Sequence, residues 1–484
     1  MKASFHPLSK YKNSSVAVKA ALWFVLCSIL QKGISMLTVP IFTRVMSPEA
    51  YGLFSVYTSL ESIVLVFSTL NLQNCAYPNA LTKFQNEKEK NELAVSLMSL
   101  SSVSTLILFV LFFALQNIIF NTFGLSFELM VMMLLYTFFS LPISLWTVKQ
   151  RFIYKYRSLV AVTFSITLLS ALSGLGFVLL WQAHQTAGRV LGFVAVEMIF
   201  GIVLMIYYFR QAKKLFSVKY WKWALKLHLP LIPHSLSLTM LISSDRLMIG
   251  AMVDSVSAAI YSVAYTAGTF VNIIKQSIVE AMRPWLYQCL KEKKYATITK
   301  TCNGILVLII LISLILIVFA PEVIAILAPP KYYEAIYIIP PVASSSFFTF
   351  LYSMFSIVEF YYEKTKKIMV ASVVGAVANI GLNYIFIPLF GYIAAGYTTL
   401  VSYIILSIMH YIFVRQLCKE KEIPKGIFDL KFIIFLSLLV IIISILFTFL
   451  YQSIIIRYSV LAVLLIVCFW KRKYFINLIK SIRR

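Results

Sequence analysis

The sequence predicts an all-α polytopic membrane protein with about fourteen transmembrane helices, and three observations carry that prediction. Hydrophobic residues make up 61% of the 484-residue chain and charged residues only 13%, against roughly 45–50% and about 25% in soluble domains. The apolar residues gather in long runs separated by short hydrophilic gaps, none of which has room for an extramembrane domain. Lys and Arg, finally, alternate in abundance from one gap to the next, the signature of cytoplasmic retention of positive charge. An excess of apolar surface on this scale fits helices facing lipid, where every backbone group is satisfied within its own segment.

A helix crosses the bilayer with about 20 mostly apolar residues. Such runs lie at 16–40, 51–76, 93–116, 127–148, 159–181, 190–209, 229–252, 256–282, 301–327, 336–361, 368–388, 392–414, 431–450 and 455–470. The first follows a basic N-terminus, is too long for a signal-peptide core and has no small-residue cleavage site close behind, so it is expected to be a retained span. With the N-terminus placed inside, only Arg44, Arg189, Lys331 and Arg457 of the 43 Lys and Arg fall in outer loops, and Lys32, Arg246 and Lys275 lie within spans. The rest are cytoplasmic, which places both termini inside. Trp146, Trp181, Trp285 and Trp470 sit near span ends, as an aromatic belt requires. The net charge of +25 is thus a topological signal; a nucleic-acid partner would need its bases clustered on a soluble face. The six cysteines form no C-x-x-C pair and read as apolar packing residues.

Residues 210–228 form a seam. They are basic, yet Leu215, Phe216, Tyr220, Trp223 and Leu227 recur at helical spacing, which predicts an amphipathic helix on the cytoplasmic surface. Phe54-Ser55-Val56 in the second span is echoed by Tyr261-Ser262-Val263 in the eighth, consistent with a transporter built on a repeat. The expected organisation is an N-terminal six-helix lobe (1–209), a linker (210–228), a second six-helix lobe (229–414), and two further helices with a basic tail (415–484).

Charges near a helix centre cost on the order of 3 kcal/mol on insertion scales and so point into a bundle or a wet cavity. Lys32, Glu61, Glu197, Asp245, Arg246, Lys275, Glu280 and Glu359 are such residues. Narrow polar stripes accompany them, including Asn272, Gln276 and Glu280 in the eighth span and Asn379 and Asn383, one turn apart, in the eleventh. A cavity carrying Lys32, Arg246 and Lys275 suits an anion, and Arg matches phosphate with two parallel donors. Glu61, Asp245, Glu280 and Glu359 are candidate coupling or counter-ion groups, and Asn272, Gln276, Asn379 and Asn383 candidate polar lining. The same Asn pair reads equally as packing between helices. Adjacent residues on a helix differ by about 100°, so Arg246 is expected to face a cavity while Asp245 turns toward a neighbouring helix.

Three segments resemble one family. FTRVMSPEAYGLFSVYTSLES (42–62) resembles the first-loop signature of Wzx-type polysaccharide repeat-unit flippases. SSDRLMIGAMVDSVSAAIYSVAYTAG (243–268) is similar to their motif across the seventh and eighth spans, including the Asp-Arg pair. ANIGLNYIFIPLFGYIAAGYTTLVSY (378–403) resembles the pattern of their eleventh and twelfth spans. The resemblance implies the multidrug/oligosaccharidyl-lipid/polysaccharide exporter fold, with two six-helix lobes around a central cavity. It further implies alternating access that moves an undecaprenyl-diphosphate-linked oligosaccharide across a bacterial cytoplasmic membrane, for O-antigen, capsule or a related surface polysaccharide. Expected partners are that substrate, membrane lipid, a proton or sodium as coupling ion, and a polysaccharide polymerase. No cofactor or metal is expected. A lipid II flippase and a cation-coupled multidrug exporter share the fold and stand as alternatives. A membrane polymerase or glycosyltransferase would usually show a large outer loop or an Asp-x-Asp motif, neither of which is present, so the chain is read as a non-enzyme.

Overall fold

The computed structural model describes residues 16–212, 214–423 and 426–470. Among them are seventeen α-helices and no strand. They are α1 (Val16–Val45), α2 (Pro48–Thr69), α3 (Ala76–Lys83), α4 (Glu87–Phe123), α5 (Phe127–Phe152), α6 (Tyr156–Leu180), α7 (Gln185–Gln211), α8 (Val218–His228) and α9 (Ile232–Met252). There follow α10 (Ser255–Lys291), α11 (Tyr295–Val318), α12 (Ala320–Leu327), α13 (Ile339–Tyr361), α14 (Thr365–Phe390), α15 (Ile393–Glu420), α16 (Leu430–Leu450) and α17 (Ile454–Trp470). Among the described residues, thirteen helical segments are long and apolar enough to cross a membrane. The shorter apolar helix α17 stands at the place of the fourteenth expected span.

Capping residues set several boundaries. The Ser47 hydroxyl accepts from the Ala50 N–H at 3.2 Å with Pro48 opening α2, a pairing that satisfies one orphan donor and fixes the first φ. Asn86, Asp254 and Asp429 cap α4, α10 and α16 in the same way. Two expected spans are interrupted. The second ends at Thr69, where Leu70 and Asn71 adopt positive φ, and not at residue 76. The ninth breaks after Val318, and Pro321, a poor interior residue but a good helix opener, starts the short α12.

The chain divides into two compact units, one through Ser235 and one from Leu236. In the first, α6 and α7 approach through glycines: a Cβ on Gly192 would lie 2.3 Å from the Gly174 nitrogen. The Ser173 hydroxyl donates to the Gly192 carbonyl across the same contact at 2.8 Å. Small residues permit this approach where no hydrophobic force drives helices together in lipid. The 42–62 segment holds the α1–α2 corner against α7. The Arg189 guanidinium lies 3.9 Å from the Phe42 ring centre and 3.6 Å from that of Phe54, and Gln185 accepts from the Ser47 N–H at 2.8 Å.

The 210–228 segment belongs to this first unit. Trp221 of α8, which the periodicity did not single out, donates to the Ser96 carbonyl of α4 at 2.8 Å. The His228 ring accepts from the Ala76 N–H of α3 at 2.7 Å. Tyr220, Trp223 and Leu227 pack on the same core, whereas Leu215 and Phe216 precede the helix and are exposed.

The second unit has a continuous core on which α13 packs centrally, with Phe347, Phe350, Met354 and Phe355 buried. Arg457, counted with the outer bases on sequence, lies buried in the first turn of α17. It donates twice to the Glu322 carboxylate of α12 and once to the Val318 carbonyl, which pins α17 to this unit.

Candidate functional site

In the first unit, α1, α5, α6 and α7 surround a polar cleft of about 350 Å³ lined by Gln31, Gln73, Thr147, Arg151, Thr167 and Glu197, among others. Lys32 follows Gln31 on α1 and is exposed. Glu61 of α2 is buried, and its Oε2 has no hydrogen-bond partner. Glu197 of α7 lies near enough to act electrostatically on Glu61, and both act on the Tyr136 hydroxyl of α5, so two carboxyl groups from different helices share one region of this unit.

In the second unit, Asp245 of α9 is the hub of a polar network. Its side chain is fully buried. Tyr261 of α10 donates to one carboxylate oxygen at 2.5 Å and Thr399 of α15 at 2.7 Å. Asn383 and Asn379 of α14 donate to the other at 2.7 and 3.3 Å. The amide oxygens are used as well: Ser244 donates to Asn379 at 2.6 Å, and Thr398 donates to Asn383. Four helices are thus tied through one carboxylate, each donor offsetting part of the cost of burying it. Asn379 and Asn383, expected among the cavity-lining residues, are fully buried inside this network.

Arg246 points elsewhere. It is half-buried, its guanidinium lies 4.5 Å from the ring centre of Tyr265, and it donates to the Ile242 carbonyl at 3.1 Å. Its Nε–H has no partner. Lys275, grouped with the cavity cations on sequence, is buried between α10 and α13 and donates to the Thr349 hydroxyl at 2.7 Å. On a helix it lies about 100° away from Gln276, and Gln276 is the one left exposed. Glu280 is exposed too; it accepts from Gln276 at 2.9 Å and pairs with Arg283 at 3.6 Å, both on its own helix. Asn272 is half-buried on the same helix. Glu359 of α13 is fully buried beside His410 of α15.

The chain matches the family model described as polysaccharide biosynthesis protein over residues 17–290, more than half its length. It belongs to that family. The matched region runs from α1 to the end of α10 and so contains Lys32, Glu61, Asp245, Arg246 and Lys275. No curated protein matches the sequence. Among solved structures, the chain is similar to the lipid II flippase MurJ in an inward closed conformation. That match has a TM-score of 0.69 at 16% identity and covers 94% of this chain and all of that one. An inward-facing multidrug resistance MATE transporter of the MOP superfamily follows, with a TM-score of 0.62 at 14% identity over 84% of this chain and all of that one. A MOP superfamily transporter from Pyrococcus furiosus gives a TM-score of 0.52 at 14% identity over 83% and 95%. The chain therefore has the MOP transporter fold, and its structural neighbours are transporters and flippases, not enzymes.

Proposed function

We propose that the protein is a flippase that moves a lipid-linked oligosaccharide across the membrane, its diphosphate held by intramembrane cations. Family membership supports the polysaccharide pathway, and the fold supports transport. Carrying a diphosphate and several sugars through hydrocarbon unaided would leave many polar groups unsatisfied, each at a cost of several kcal/mol. A protein surface with polar and cationic groups lowers that cost while the lipid tail stays in the bilayer.

The observation that carries the site assignment is Arg246: a half-buried intramembrane guanidinium, set against an aromatic face, with one N–H unpartnered. In this proposal Arg246 is the leading diphosphate contact, and Lys32 is a separate candidate cation of the first unit. Lys275 acts from behind, holding α10 to α13 through Thr349. The substrate is undecaprenyl-diphosphate-linked, the membrane is the bacterial cytoplasmic one with both termini inside, and a proton or sodium ion supplies the drive. Lipid II carries the same diphosphate–lipid chemistry, and the likeness to a lipid II flippase favours it as the second reading.

The test is variant by variant. Arg246→Ala should abolish surface polysaccharide at normal membrane abundance, and Arg246→Lys should keep part of it, because the charge survives and the two-pronged geometry does not. Normal output from Arg246→Ala at normal abundance would remove the binding role. Rescue of lipid II export in place of polysaccharide output would favour the second reading.

A further inference from the structure

Asp245 and Glu359 are both fully buried acids of the second unit, yet their surroundings differ. Asp245 accepts from four side-chain donors. Glu359 has one: His410 Nδ1 lies 2.9 Å from its Oε2, while its Oε1 has no hydrogen-bond partner. We propose that Glu359 and His410 form a proton-binding site in the second unit, loaded and emptied as the transport cycle proceeds. This rests on the reading of the chain as a transporter and names the site at which its coupling ion binds.

The chemistry follows from counting protons. With the carboxylate ionised and His410 neutral, donating its Nδ1–H, the pair carries a net charge of −1 in a fully buried place. Binding one proton, on Oε1 of the carboxyl or on the imidazole, brings the net charge to zero with the Nδ1···Oε2 contact intact. Removing an uncompensated buried charge is a large electrostatic change, and an oxygen with no partner is where a proton can be received without breaking another bond. A purely structural link between two helices would be served as well by apolar packing.

The neighbourhood isolates this exchange. Lys367 of α14 is the cation whose charge reaches Glu359. Tyr352 of α13 stacks on the His410 ring at 5.8 Å and fixes its plane. Other titratable groups in this core are thiols and phenols: Cys289 and Tyr287 on α10, Tyr295 and Cys302 on α11, Tyr361 on α13, Tyr362 just after it, and Tyr403, Tyr411 and Cys418 on α15. Such groups are ordinarily neutral near pH 7. Among the described residues, α16 contributes only aliphatic side chains and Phe432 to this core. Glu359 lies two residues before the end of α13, beside the 362–364 turn, where Glu363 is exposed.

The pair also sits where its charge can be felt. Its two helices, α13 and α15, are the ones that carry Thr349, the partner of Lys275, and Thr399, a donor to Asp245. A second link between them, the Ser407 hydroxyl donating to the Phe348 carbonyl at 2.8 Å, has no titratable member. Loading the pair therefore biases the packing of α13 on α15 and, through it, the elements that hold Lys275 and Asp245.

The decisive variant is Glu359→Gln, whose amide oxygen still accepts from His410 Nδ1–H but binds no proton. Infrared difference spectra of the purified full chain, stepped from alkaline to acidic pH, should show a carboxylic C=O band that Glu359→Gln removes; His410→Gln should alter the same band. In vesicles holding a fluorescent undecaprenyl-diphosphate-linked sugar, an imposed pH gradient should change the wild-type rate several-fold. Glu359→Gln should move the lipid at one rate with or without the gradient. Identical spectra for wild type and Glu359→Gln would overturn the site, and an undiminished gradient response in Glu359→Gln would overturn the coupling. A wild type that binds the proton at Glu359 but moves no lipid would support the site and refute the flippase reading.

Discussion

Asp245→Ala removes the acceptor for four donors at once: the Tyr261 and Thr399 hydroxyls and the Asn379 and Asn383 amides. Hydrogen bonds between membrane helices average about 0.6 kcal/mol and reach about 1.7 kcal/mol. Four average ones are worth roughly 2.4 kcal/mol, and stranding buried donors adds about 1–3 kcal/mol for each that finds no new partner. Thr399 and Asn379 already bond to each other at 3.0 Å, so they lose less than Tyr261 and Asn383. The expected loss is therefore about 4–8 kcal/mol, a large share of the ~5–15 kcal/mol that holds a typical fold. Asp245→Asn keeps the shape, and the two hydroxyls can turn to accept from the new amide, since a hydroxyl both donates and accepts. Its loss should be about 1–2 kcal/mol. Thermal unfolding of each solubilised variant, followed by fluorescence-detected size exclusion, should rank wild type above Asn and Asn well above Ala. An Ala variant that melts with the wild type would refute the claim that this network holds the second unit together.

Two further expectations follow from the same reasoning. Gly192→Leu should leave little folded protein, because its Cβ alone would meet the Gly174 backbone at 2.3 Å and neither α6 nor α7 can yield without opening the pair; recovery of normal amounts in the membrane fraction would contradict this. Cysteines placed at Asn121, Lys331 and Gln452 should react with an impermeant thiol reagent applied from outside, whereas those at Asn86 and Lys214 should not, and labelling of both groups from one side would overturn the topology.

Fold class is legible in the sequence because lipid imposes a single rule, length of apolar run, on every helix, and thirteen of the fourteen expected spans have a long apolar helix among the described residues. Interruptions are less so: Pro321 is visible, but nothing local says whether it kinks a helix or begins one. Side-chain direction is readable where neighbours contrast. Asp245 and Arg246 are separated by about 100° on α9, and one is fully buried while the other is half-exposed. It fails where the contrast depends on a helix elsewhere in the chain. Lys275 reads as part of the Asn272–Gln276 stripe until Thr349, 74 residues on, is seen to receive it. His410 draws no attention as one of five scattered histidines, because its partner Glu359 is 51 residues away and only the packing of α15 on α13 joins them. The polar cleft of the first unit draws Gln31, Gln73, Arg151 and Glu197 from four separate parts of the chain, and no periodicity within one helix reveals such a set.

The central claim is that the protein acts after the sugar–lipid is complete, by moving it. Lipid-linked sugars extracted from a deletion strain test this most directly, with leaflet position scored by an impermeant sugar-oxidising reagent. The account predicts completed repeat units that accumulate on the cytoplasmic leaflet and are shielded from the reagent until the wild-type chain is restored. A deletion strain that makes no completed repeat unit, or one in which finished units still reach the outer leaflet at the wild-type rate, would contradict it.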